Sequence, residues 1–167
     1  MGVYLAIPAG LLTAVLQSSL MPHLRIAGAT PNLVLVVLVL WVLLVRTQEG
    51  LVFAFAAGMT LDTLSSAPFG TAIVGLALAT LLSGLGAANV FGSAWYLPYV
   101  TVAAATLCYG VVQVISVQAG GRLAPFGASL RYVILPELVA NLVLIGLFWG
   151  VVSVVQRYRR RHEVRST

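Results

Sequence analysis

The chain has 167 residues, 60% of them apolar and 8% charged, with a net charge of +5 and a mean hydropathy of +1.05. Soluble domains carry roughly a quarter charged residues, and repeated apolar runs near bilayer length read as transmembrane helices. The composition therefore excludes a separate soluble domain and predicts an all-α, polytopic membrane protein with one domain.

Six helices are expected in chain order. The first spans about Val3 to Leu20 and closes at Met21-Pro22. The second follows Pro31 and ends near Val45; the third runs from about Glu49 to Leu64. The fourth covers about Thr71 to Ala88, the fifth about Leu97 to Ala119, and the sixth starts near Tyr132 and ends near Tyr158. A basic tail, residues 159–167, completes the chain after a single six-helix domain over 1–158. Helices of about 15 residues reach only about 22 Å, short of a hydrocarbon core of roughly 30 Å. The second and third helices thus form a tight hairpin around "RTQEG", over which the bilayer thins or neighbours cover the ends.

There is no lysine, and five of the nine arginines lie in the tail "RYRRRHEVRST". A basic run beside a span favours the cytoplasmic side and anionic lipid; its shortness speaks against nucleic acid. Six spans put both termini on that side together with Arg46, and leave Arg25, Arg122 and Arg131 outside, satisfying the positive-inside bias. The first run lacks the basic flank of a signal peptide and is read as a mature helix. One cysteine, Cys108, makes an intramolecular disulfide impossible.

Helices in lipid pack where small side chains let backbones approach. Ala6, Gly10 and Ala14 form such a stripe on the first helix. Gly50, Ala54 and Gly58 form another on the third, continued by Asp62, and Gly75, Ala79, Ser83 and Ala87 a further one on the fourth. The second helix, "LVLVVLVLWVLLV", is bulky on every face and is expected to be peripheral, against lipid or a partner's helix.

Asp62 is the only aspartate in the chain. On its stripe it faces the protein interior, because a charge toward lipid costs roughly 2.5–3.5 kcal/mol. At the C-terminal turn of its helix a carboxylate opposes the dipole, so it needs a donor: the N–H groups of Ser65 and Ser66, or an arginine. Asp62 either pins the "SSAPFG" turn, with Pro68 and Gly70, or contacts a pocket or partner. Glu137 and Asn141 share a helix face. Either Glu137 serves the first turn of the last helix, where a carboxylate suits the dipole, or Glu137, Asn141 and Gln113 line a polar cavity. Arg46 and Glu49, in the inner hairpin, are expected to form a local ion pair.

The residue inventory argues against enzymes. A pair of catalytic aspartates is impossible, and neither histidine, His23 nor His162, lies in a span to serve a serine hydrolase. No HExxH, CxxC or His-Cys cluster would hold zinc, and "SGLGAANVFG" lacks the Lys-Ser/Thr of a P-loop. No cofactor is expected. Two intramembrane carboxylates make a poor ion path.

The stretch "PNLVLVVLVLWVLLVRTQEGLVFAFAAGMTLDTLSSAPFGT" and the later "LPELVANLVL" resemble the rod shape-determining protein MreD family. The matching order is Pro31, Arg46, Gly50, Gly58, Asp62, Pro68 and Gly70. Asn32 departs from it, standing where members often carry aspartate. The resemblance implies an inner-membrane protein of the bacterial elongation machinery, partnered by the single-span protein MreC. Through MreC it implies action with MreB, RodA and a class B penicillin-binding protein. It also implies a six-helix fold like the substrate-binding component of energy-coupling-factor transporters. A non-enzymatic scaffold is the reading this favours. The alternative is a small-molecule-binding transporter component, which a cavity with converging polar groups would distinguish; the few polar side chains in the outer half lower it.

Overall fold

In a computed structural model, residues 2–20, 30–65, 68–89, 96–121 and 125–163 are described. The described residues are helical apart from turns: α1 (Gly2–Leu20), α2 (Leu33–Leu44), α3 (Thr47–Leu64), α4 (Thr71–Asn89), α5 (Leu97–Ala119), the short α6 (Phe126–Ser129) and α7 (Leu135–Glu163). Helices Leu97–Ala119 and Phe126–Val151 are long and apolar enough to cross a membrane. Shorter apolar helices occupy Tyr4–Leu20, Leu33–Leu44 and Thr71–Gly86.

The last helical stretch differs most from expectation. α6 runs into a π-helical turn, Leu130–Ile134, and that turn into α7. Pro136 explains it. Proline has no N–H to donate to the carbonyl four residues back, and its ring crowds that carbonyl. The ladder widens instead, with Leu135 N–H donating to the Leu130 carbonyl. Read from sequence, a proline marks a helix start; here it sits just past a bulge, and Glu137 follows it within a continuing helix. The expected dipole role at a free N-terminus therefore falls away. At the other end α7 continues to Glu163, beyond the expected stop near Tyr158.

The small-residue stripes are buried where two helices meet. Ala6 and Ala14 are buried, and a Cβ at Gly10 would stand 2.9 Å from the Phe53 carbonyl oxygen, so α1 lies directly on α3. Gly50, Ala54, Gly58 and Asp62 are all buried on α3. At Gly58 an added Cβ would reach within 2.7 Å of the Ile73 Cα, the α3–α4 crossing, and Gly50 abuts Val42 of α2 and Thr80 of α4. Gly75 of α4 receives the Tyr109 ring of α5, while Ala79 and Ser83 are fully buried. The side chain of Ala87 lies outside the described residues.

The expectation for α2 is overturned. Eight of its twelve residues are buried, with Val34, Leu35, Val36, Leu38 and Val39 completely so. It is the central post of the fold, touched by α1, α3, α4, α5 and α7. Bulk on every face does not mean lipid on any face, because lipid tails are as apolar as leucine and give helices no preference for the outside. The neighbours' small residues make the hollow that a bulky helix fills.

Gly58→Ala is expected to overpack the α3–α4 crossing at backbone that has no room to shift, lowering stability by about 1–3 kcal/mol. Gly127→Ala, where a Cβ meets nothing within 4 Å, serves as the near-neutral reference. Thermal unfolding of the two variants in one detergent checks this; equal melting temperatures would contradict the close crossing.

Candidate functional site

The first four N–H groups of a helix have no partner within it. Away from water each must find an acceptor or cost free energy. Two helix N-termini meet this constraint at the same end of the bundle.

The first belongs to α2. Asn32, buried, is its N-cap, and its Oδ1 accepts from Leu35 N–H at 3.1 Å. Gln17 of α1 reaches across so that its Oε1 accepts from Leu33 N–H at 2.6 Å, while its amide donates to the Pro31 carbonyl at 3.2 Å. Asn141 of α7, fully buried, accepts from Asn32 N–H at 2.7 Å and donates to Thr106 Oγ1 of α5 at 3.0 Å. Asn32 then uses its side-chain amide to donate to Glu137 Oε1 at 3.3 Å. An aspartate could make the cap but not this last bond.

The second belongs to α4. Asp62 projects from the last turn of α3 and accepts from Gly70 N–H at 3.0 Å, Ala72 N–H at 2.9 Å and Ile73 N–H at 3.3 Å. Its carboxylate opposes the dipole of α3 but sits at the positive end of α4, where a negative charge is favourable. These donors belong to the start of α4, beyond the serine turn named from sequence; Ser66 lies outside the described residues. Asp62 is 5% exposed, so its position at the helix end gives no escape from burial. Gly70 takes φ +95°, a conformation that favours glycine, and so aims its N–H at the carboxylate while Thr71 N–H and Oγ1 bond the Pro68 carbonyl.

Between these two capped ends lies a cavity of about 290 Å³. Asn32, Asp62, Tyr109, Gln113 and Glu137 line it, with Gln17 and Thr71. Tyr109, Gln113 and Asn32 share the wall of the cavity with both carboxylates. Of the trio expected to share a cavity, Glu137 and Gln113 line this one; Asn141 stands behind it as the buried link to Thr106. Gln17, Asn32, Thr106 and Tyr109 went unread as site residues. Their only sequence signal was polarity inside apolar runs, and Asn32 directly after Pro31 and ahead of an apolar helix is itself a cap signature.

The inner hairpin is separate. Arg46 is exposed, and Glu49 Oε2 is buried without a hydrogen-bond partner, so the expected Arg46–Glu49 ion pair is not formed. Trp41 Nε1 is likewise buried without a partner, its ring 5.9 Å from that of Phe53. Glu49 stands in the first turn of α3, where the helix dipole favours it.

The family model described as rod shape-determining protein MreD matches residues 1–159. The chain belongs to the MreD family. No curated protein and no solved structure matches the chain significantly. Membership makes this a membrane-associated protein with a role in rod-shape determination. The match takes in both capped helix ends and the cavity between them.

Asp62→Ala removes an acceptor shared by three backbone donors. Loss of one hydrogen bond to a charged group costs about 1.5–3 kcal/mol, so a clear fall in melting temperature or folded yield is expected. Asp62→Asn keeps one acceptor oxygen and is expected to fall between wild type and alanine. Thermal melts of the three proteins in one detergent test the order; an alanine variant as stable as wild type would remove Asp62 from the cap.

Proposed function

We propose that this protein is a non-enzymatic inner-membrane scaffold of the elongation machinery, one that binds an MreC-like single-span protein and so helps regulate peptidoglycan synthesis and cell shape. Family membership over residues 1–159 carries the reading. MreB, RodA and a class B penicillin-binding protein are engaged indirectly, through that partner. The bundle crosses the membrane six times in a fold like the substrate-binding component of energy-coupling-factor transporters. Both termini are cytoplasmic, and the capped ends with their cavity face outside. The positive-inside arithmetic supports this orientation.

Asp62, Asn141, Gly50, Ala54 and Gly58 act structurally in this reading, by capping and close packing. The α1 stripe, and α2, which was expected to face lipid or a partner's helix, are spent inside the bundle. Contact with a partner helix falls instead on exposed apolar surface. The groove between α1 and α3, lined by Ile7, Leu11, Phe55 and Met59 with a volume of about 520 Å³, is one such surface.

A transporter component that binds a small molecule is the second reading. The cavity favours it, since polar groups converge there from α1, α3, α5 and α7. Gentle purification followed by identification of what co-purifies, protein or small molecule, separates the two.

The scaffold reading expects a stable complex with the MreC-like partner that is lost when the partner's transmembrane helix is deleted. Co-purification that survives the deletion would overturn the lipid-embedded contact. The topology expects cysteines placed at Ser65 and in the tail, in a Cys108→Ala background, to differ: only the former reacts with an impermeant reagent added to intact cells. Labelling of the tail would overturn it.

A further inference from the structure

We propose that the cavity between the N-termini of α2 and α4 binds a small organic cation, a primary ammonium or guanidinium group on a short chain, with Glu137 as the charged ligand group. The site goes beyond the scaffold reading and stands whether the chain serves as scaffold or as transport component.

The argument starts from how unequally the two carboxylates are used. Asp62 is committed to three backbone donors. Glu137 accepts one hydrogen bond, on Oε1, from Asn32 at 3.3 Å. Among the described residues Oε2 has no donor. Protein atoms enclose the group on most sides, and the exposure it keeps is matched by the cavity it lines. Oε2 is not among the buried atoms without a partner; it opens on the cavity as an acceptor that no protein donor among the described residues occupies.

Charge counting points the same way. Each helix N-terminus is equivalent to about +0.5, so α2 and α4 together bring about +1. Against this stand two carboxylates, and among the described residues no arginine lines the cavity. The C-terminus of α3 beside Asp62 adds to the negative side, so the balance is negative and a cation offsets it. Glu137, Gln113 and Tyr109 all line the cavity and carry oxygens able to accept from N–H donors. A volume of about 290 Å³ falls at the small end of ligand pockets, roughly 300–1,000 Å³, and suits a charged head with a few carbons. The rim at Thr30, Ser65 and Val133 is exposed, leaving an entrance.

The test uses the full chain in detergent and n-butylammonium chloride as probe. A saturable rise in melting temperature is expected with butylammonium, and none with n-butanol, sodium butyrate or tetramethylammonium chloride at equal ionic strength. Glu137→Gln should weaken the half-saturation concentration about tenfold or more, the loss of one hydrogen bond to a charged group. Asn32→Asp keeps the acceptor for Leu35 N–H and adds a negative charge beside Glu137. It should lower the melting temperature without ligand yet enlarge the rise with butylammonium, a reversal that a merely structural role would not give. No rise in wild type, an equal rise with butanol or tetramethylammonium, an undiminished response in Glu137→Gln, or a response in Asn32→Asp no larger than wild type would each overturn the proposal.

Discussion

Two helices of this bundle begin with N–H groups that side chains from other helices accept, and much of the polar chemistry follows from that constraint. α2 has 12 residues, about 18 Å of helix. So short a helix at the centre of a bundle leaves its N-terminus inside, and side chains have to do the work of solvent. Gln17, Asn32 and Asn141 supply the acceptors for Leu33, Leu35 and Asn32 N–H, and Asp62 supplies those for α4. The groups come from α1, α3 and α7, so satisfying two helix ends also fixes the positions of three other helices. Capping here is tertiary structure: removing one acceptor strands a donor in a medium where each unsatisfied group costs several kcal/mol.

The packing stripes solve the complementary problem. With no hydrophobic drive among helices in lipid, dispersion contacts have to be dense, and density needs close backbones. Gly10, Gly58 and Gly75 each let a neighbouring backbone or ring approach to where a Cβ would collide. The steepest demand falls at Gly58, one turn before Asp62, because the α3–α4 crossing has to be tight there for the carboxylate to reach Gly70, Ala72 and Ile73. Packing and capping are thus one device along α3: glycine sets the distance, and aspartate uses it.

This explains which features were legible in the sequence. The helices α1 to α5 were readable because apolar runs and turn residues bound them, and the stripes because their spacing is helical. The inward placement of Asp62 followed from its stripe. The central position of α2 was not readable, since in an apolar solvent hydrophobicity no longer separates inside from outside. The extra helical residues 126–131 were hidden because Pro136 signals a nearby start to a local reading, while the tertiary fold continues the helix through a π turn. The network at the α2 cap was hidden for a different reason: Gln17, Asn141 and Thr106 are distant in sequence, and only the fold brings them to one place. The Arg46–Glu49 pair failed because nearness in a hairpin does not fix direction. Arg46 turns to the surface while Glu49 turns inward.

Asn32 links the structural and ligand-binding aspects of this end of the molecule. Its Oδ1 caps α2, its backbone N–H ties α2 to α7 through Asn141, and its amide donates to Glu137. Asparagine is among the few side chains that can accept for a helix end and donate to a carboxylate at once. An aspartate there would keep the cap but turn the donor into a second negative charge facing Glu137. Such a pair needs a proton or a cation between its members. In this chain the amide takes part of that load at 3.3 Å, a long bond for a charged acceptor, and leaves Oε2 free. The cavity is therefore better described as one donor short than as a closed structural network, and a bound N–H cation is the simplest group that completes it.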